Sequence, residues 1–226
     1  RQRPYRSCCR TRCQSQCVPR RNCCSAGTKW CRQVNPADTI GSDTPAEQGP
    51  LGRTPLHVGV SARHVHLSRE HIEALFGSGY SLHRKSDLSQ PGQYAAQETV
   101  VVAGPGGALD SVRVLGPVRG LTQVEVSASD CRILGVPGMV RDSGDLSGTP
   151  GCVLIGPLGS VRLDQGLIVA ARHIHMAPID ASLQGLADKA MVAVLAGQGP
   201  RVTVFANVLV RVSDEYRLEL HLDVDE

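Results

Sequence analysis

Two segments share one plan: Ser61-Ala62-Arg63-His64-Val65-His66-Leu67 and Ala170-Ala171-Arg172-His173-Ile174-His175-Met176. Each sets an Arg before a His-x-His pair and a long apolar residue after it. Residues i and i+2 of a strand point to one face, so each pair presents two imidazoles together while Val65 or Ile174 faces the other way. Imidazole is a good ligand for zinc and related first-row metals. One such pair is commonly an accident of an exposed strand or a hydrogen-bonded pair in a core. Two copies within a repeat point to a metal centre built from two related halves.

The repeat extends beyond the histidines. At an offset of 96, Val112-Arg113-Val114 falls on Val208-Leu209-Val210, and Gln123-Val124-Glu125-Val126-Ser127 falls on Glu219-Leu220-His221-Leu222-Asp223. Each half thus supplies a His-x-His strand and, later, another possible ligand on a strand centre: Glu125 in the first, His221 in the second. Taken alone, Glu125 is an ordinary solvent-facing strand residue; its place in the repeat singles it out.

Short β-like runs between Gly and Pro turns fill most of the body. Examples are Thr99–Ala103, Ser111–Leu115, Cys152–Ile155, Ser160–Leu163, Leu167–Ala170, Val202–Phe205 and Val208–Val210. Such spacing predicts barrels or sandwiches, and the regular strand–helix alternation of a Rossmann sheet is missing. Short helices are expected after Ser68, at Ser127–Asp130 and from Pro178 to Leu186. The fold expected is mainly β, two related β-barrel domains with short helices, produced by an internal duplication. Approximate halves are 56–150 and 151–226, with strands that can exchange between them.

Charge and cysteine both divide the chain near residue 50. Residues 1–50 hold nine Lys/Arg and three Asp/Glu, against 15 and 18 in residues 51–226. The body is therefore slightly acidic, with few aromatics, and makes a poor nucleic-acid binder. Cys8, Cys9, Cys13, Cys17, Cys23, Cys24 and Cys31 crowd the head, without the spacing or histidines of a zinc knuckle. Residues 1–50 are read as a disordered Arg/Cys-rich extension, with residues 33–54 as linker. No apolar run approaches the roughly 20 residues of a membrane helix, so no membrane partner is expected. Only Cys131 and Cys152 lie in the body, which suits a cytoplasmic protein, and both are expected to be inert packing residues.

Imidazole and carboxylate without thiolate suit a catalytic zinc, or a related divalent metal, with positions left open to water or substrate. Six candidates shared three and three would leave such openings on two ions. Arg119 lies one short turn before the Glu125 strand, and arginine grips phosphate or carboxylate oxygens in bidentate fashion. Arg63 and Arg172 should point away from the imidazoles and form supporting ion pairs. The loop from Arg141 to Gly151 is read either as a wall of the site or as a joint between halves. No P-loop, GxGxxG turn, HExxH helix or serine nucleophile elbow is present.

Val58–Ser68, Leu88–Val100, Val140–Gly144 and Ala171–Met176 together resemble the PduL-type phosphate propanoyltransferases, the phosphotransacylases of propanediol-using microcompartments and their acetyl-specific relatives. The resemblance spans about residues 56–226. It implies two β-barrels with two zinc ions at their junction, one held by His64, His66 and Glu125 and the other by His173, His175 and His221, with Arg119 contacting phosphate. It also implies reversible transfer of a short acyl group between coenzyme A and phosphate, without a covalent acyl-enzyme, in the cytoplasm or inside a microcompartment beside its shell or lumen enzymes. Relatives commonly self-associate, and the oligomeric state of this chain stays open. Relatives often carry an amphipathic targeting peptide, and residues 1–50 show no such apolar face. Relatives also often continue past the position of Glu226; two readings are open, a looser last strand with His221 a weaker ligand, or a sequence that is only part of its chain. Two other readings stay open at this point. One is a metal-dependent thioesterase or hydrolase, and the other a non-catalytic β protein whose histidines bolt its halves together.

Overall fold

The computed structural model describes residues 56–197 and 199–226. The expectations for residues 1–50 lie outside them. The first histidine strand, β2 (His64–Ser68), lies between β5 (Ala108–Arg119), parallel to it, and β6 (Gln123–Glu125), antiparallel. The register puts His64 opposite Glu125 and His66 opposite Gln123. Beyond β5 come β4 (Tyr94–Ala103), β8 (Cys152–Ile155) and β9 (Ser160–Leu163), with β3 (Arg84–Asp87) against the Tyr94 end of β4. Beyond β6 come β10 (Leu167–Ala170) and β7 (Val140–Arg141).

The second histidine strand, β11 (His173–Met176), has the same neighbours in smaller form. It runs parallel to β13 (Thr203–Val212) and antiparallel to β14 (Glu219–Asp223), with His173 opposite His221 and His175 opposite Glu219. β12 (Met191–Ala196) lies outside β13, and β1 (Val58–Ser61) pairs in parallel with β14. The order β1-β14-β11-β13-β12 therefore matches β10-β6-β2-β5-β4 strand for strand. The strand that precedes each histidine strand in sequence belongs to the other sheet.

Neither sheet is a closed barrel, which corrects the expectation of two. The larger sheet curls into a half-barrel, and the smaller is neither closed nor curled. A barrel needs its first and last strands to pair, with matched tilt and shear. Here β7 and β9 end one path, and β1 and β12 end the other, without meeting. The small sheet instead covers its apolar face with α3 (Pro178–Gln184) and the flanking chain: Ile174, Met176, Val208, Val210 and Leu220 pack with Ala181, Leu186 and Leu218. Short strands with Gly-rich turns are common to closed and open sheets, so the pattern that predicted strands did not predict closure.

Local chemistry explains the remaining elements. Ser68 caps α1 (Arg69–Phe76) by accepting from the His71 amide, and Ile72, Leu75 and Phe76 turn into the larger core. Ser127 and Asp130 form a capping box on α2 (Ala128–Leu134). Both arginines that precede the histidine pairs make ion pairs, Arg63 with buried Asp130 at 3.1 Å and Arg172 with Glu226 at 2.5 Å. Asp225 Oδ2 accepts from the Ser129 amide at 2.8 Å, so the last residues are tied to α2. β5 does not stop at Gly116-Pro117 as expected but continues to Arg119. Gly116 lies under the Tyr94 ring, where a Cβ would come within 2.1 Å of Cζ, so the strand has room only for glycine there.

Candidate functional site

The backbone register assembles two clusters. His64, His66 and Glu125 form one, and His173, His175 and His221 the other, each with its donor atoms within 4.8 Å of one another. The paired rings share a strand face as expected: centroids are 5.0 Å apart for His64 and His66 and 4.7 Å for His173 and His175. The second cluster gains His221, whose ring stacks on His173 at 5.0 Å and 3°.

The two clusters orient their imidazoles alike. His64 Nδ1 is 2.9 Å from the Ala62 carbonyl and His173 Nδ1 is 2.8 Å from the Ala171 carbonyl. With Nδ1–H donated there, each ring turns Nε2 inward as an acceptor. The opposite choice is made by His66 and His175, whose buried Nδ1 atoms have no hydrogen-bond partner, while His221 Nε2 faces Glu219 Oε2 at 3.1 Å. Buried polar atoms are rarely left so. Two unpartnered ring nitrogens, one in each of two clusters of metal-ligand type, are what a pair of zinc sites would leave in the protein alone. The residues present fit that metal.

Electrostatics keep these ligands in their binding form. Burial first, then neighbouring His64 and Arg119, lowers His66 to about 3. Burial likewise lowers His173 to about 4, and burial with His173 and His221 beside it lowers His175 to about 2. His221 is also lowered by burial, against the opposing pull of Glu219. All four are therefore neutral near pH 7, the form that binds metal. Burial disfavours the Glu125 anion, but His64, His66, Ser143 and Arg119 outweigh it and hold the carboxyl below its ordinary range.

Both clusters open on one cavity of about 560 Å³, which Arg119 also lines. That size suits a small-molecule site. Arg119 is partly buried, its Nη1 3.4 Å from Ser143 Oγ. Burial and the nearby Arg211 guanidinium lower its pKa while Glu125 opposes them. All seven residues singled out in the sequence thus come together. The Arg141–Gly151 loop walls the site at Ser143 and Gly144: Ser143 Oγ accepts from Gln123 Nε2 at 2.8 Å and donates to Glu125 Oε1 at 3.1 Å. Gln123 also donates to Glu125 through a short contact and accepts from the Gly144 amide at 2.8 Å.

Sequence reasoning missed several residues here. Arg211, opposite His175 on β13, adds a second guanidinium, and Tyr216 stacks on the His175 ring at 4.0 Å. Glu219 stands beside His221, and Ser89 and Gln90 reach it from the loop before β4. The repeat alignment already placed Glu219 opposite Gln123, two residues before each proposed ligand, a signal that pointed to both.

A family model described as phosphate propanoyltransferase matches residues 57–226. The chain belongs to the phosphate propanoyltransferase family. It is an acyltransferase, and its kinship within that family is close. It is 57% identical over 169 residues to the phosphate propanoyltransferase of Thermotoga maritima, covering 75% of this chain and 80% of that one. The protein of the same description from Rhodopseudomonas palustris is 50% identical over 196 residues, 86% and 85% of the two chains. That from Salmonella typhimurium is 48% identical over 176 residues, 78% and 83%. The family match spans both clusters, Arg119 and the whole cavity. Among the described residues no helix is long and apolar enough to cross a membrane.

Proposed function

We propose that this acyltransferase moves a short acyl group, propanoyl or acetyl, reversibly between coenzyme A and inorganic phosphate, with one zinc ion at His64, His66 and Glu125 and another at His173, His175 and His221. The observation that carries this reading is the opening of two imidazole-rich clusters and a half-buried arginine on a single cavity. The same reading takes residues 56–226 as a duplicated body in which β1 and β10 have changed places between the halves.

Zinc bound there supplies Lewis acidity for a carbonyl oxygen and for phosphate. The chain's own residues do the rest. Arg119, with Arg211 across the cavity, grips phosphate oxygens and sets one of them against the thioester carbonyl carbon. The new C–O bond forms, the C–S bond breaks, and the electron pair leaves on the coenzyme A sulfur. The reverse reaction starts from that thiolate and acyl phosphate. Gln123 and Ser143 hold the Glu125 carboxylate rigid, so the site is organised before substrate enters.

A covalent acyl-enzyme is not needed. Cys131 and Cys152 are buried in the large core, and burial pushes the Cys152 thiol up to about 12. The Ser143 hydroxyl is committed to Gln123, Arg119 and Glu125.

The test is turnover of propanoyl-CoA by the zinc-loaded full chain, with and without phosphate, beside His64→Ala and His173→Ala. Phosphate-dependent coenzyme A release that yields acyl phosphate and disappears in both variants supports the reading. Equal release without phosphate replaces it with a thioesterase.

A further inference from the structure

The two clusters differ in charge. The first contains a carboxylate, whereas the second consists of three histidines and no acid. In the repeat, Gln123 corresponds to Glu219 and Glu125 to His221, so the carboxylate has moved back by two residues and remains on the same face of the strand. Glu219 is only 3% exposed, and its Oε2 lies 3.1 Å from His221 Nε2.

The carboxylate is held in place from the other half of the chain. Ser89 Oγ donates to Oε2 at 2.5 Å and Gln90 Nε2 donates to it at 2.8 Å. Gln90, also 3% exposed, clamps the chain before β14, giving its amide to the Arg217 carbonyl and accepting from the Arg217 amide, both at 3.1 Å. Gly59 on β1 leaves the space: a Cβ there would sit 2.7 Å from Glu219 Oε1. Among the described residues the ion-pair partner of Glu219 is His221, with no Lys or Arg beside it. A buried carboxylate fixed by two neutral donors still lacks a countercharge, which is costly in the interior.

We infer that Glu219 belongs to the second centre: its carboxylate, fixed by the Ser89–Gln90 anchor, gives the cation at His173, His175 and His221 the negative charge that Glu125 gives the first. This rests on the two-zinc reading above. The arrangement also makes the loop before β4, a product of the first half, part of the second half's centre.

The test is competition between the zinc-loaded full chain and a chromophoric zinc chelator, for wild type, Glu219→Gln, Ser89→Ala, Gly59→Ala and His173→Ala, with thermal unfolding of each metal-free form alongside. Expected is wild type with two ions. In Glu219→Gln the ion that His173→Ala abolishes is held about 10–100-fold more weakly, and the other is unchanged. Gly59→Ala, which displaces an intact carboxylate, and Ser89→Ala, which removes one anchor, shift the same ion in the same direction by less. Two ions in wild type with unchanged affinities in Glu219→Gln overturn this inference alone. So does a Glu219→Gln protein that melts earlier when metal-free but binds both ions normally. If Glu219→Gln does not fold, unaltered zinc affinity in Ser89→Ala overturns the inference. Fewer than two ions in wild type overturns the two-zinc reading and this inference with it.

Discussion

Across the antiparallel pair of β2 and β6, His64 Nε2 lies 3.4 Å from Glu125 Oε2, and both side chains are nearly buried. A carboxylate so placed is both a ligand candidate and the anion that Gln123 and Ser143 are arranged to hold. Glu125→Gln keeps the shape and removes the charge. The expected result is loss of one of two zinc ions and at least about a 100-fold fall in phosphate-dependent turnover, since 2.7 kcal/mol or more of transition-state stabilisation goes with it. Zinc content by elemental analysis, read beside turnover, checks both. Full activity with one ion lost would remove that ion from the chemistry.

Among the described residues Arg119 makes one side-chain hydrogen bond, at a long 3.4 Å to Ser143, which leaves most of its fork for an anion. Arg119→Ala should raise KM for phosphate and lower kcat/KM by about 100–1000-fold, at about 3–4 kcal/mol for a charge-assisted bidentate contact in a sheltered site. Arg119→Lys should recover only part of this, because a lysine offers a point charge and not a planar fork. Zinc content and KM for acyl-CoA should hardly move. Steady-state kinetics with each substrate varied in turn separate this outcome from a general collapse of the site, in which both KM values and zinc binding would change.

Cys131 and Cys152 pack in the large core at 1% and 6% exposure, and burial raises both thiols above their ordinary pKa. A thiol is nucleophilic only as the thiolate. Cys131→Ala and Cys152→Ala should each cost about 1–2 kcal/mol of stability through lost packing and leave turnover within about twofold. Denaturant melts and the phosphate-dependent assay together check this. A thousandfold loss of turnover in a folded variant would restore a cysteine to the mechanism.

What could be read in advance follows from period and repeat. Period-2 alternation makes the faces of β2 and β11 legible, and the 96-residue offset marks Glu125 and His221 as equivalent ligand candidates, whereas the strand pairing that sets His64 opposite Glu125 and His173 opposite His221 is seen only in the structure. Sheet closure is a different kind of property. It depends on whether distant edge strands meet, and Val58 and Met191 give no local sign that β1 and β12 remain apart. β12 itself went unread, because Met191–Ala196 is apolar at every position and shows no alternation, although the structure leaves its residues partly or fully exposed. Tertiary placement also hid Arg211 and Tyr216. A lone arginine on a strand and a tyrosine in a turn acquire meaning only when β13 brings the first opposite His175 and the turn before β14 lays the second on that ring.

Away from the cavity, Glu98 offers a pH test free of metal. Its buried carboxylate accepts from Tyr80 Oη at 2.9 Å and from the His83 amide at 3.1 Å, and lies 2.7 Å from His83 Nδ1, which fastens the loop after α1 to β4. Burial disfavours the anion, but the His83 and Tyr80 contacts outweigh it, so the folded pKa falls below the ordinary 4.5. A carboxyl depressed by folding contributes stability that is complete above the unfolded pKa and is lost as pH drops through the folded one. Glu98→Gln should therefore be less stable than wild type by about 1–3 kcal/mol at pH 7, where buried donors face an amide. The gap should hold down to about pH 5 and narrow below pH 4.5 as the wild-type carboxyl takes up its proton. Urea melts of both chelator-treated proteins from pH 7 to 3.5 measure it. A gap that stays constant across that range would assign the cost to shape and not to charge.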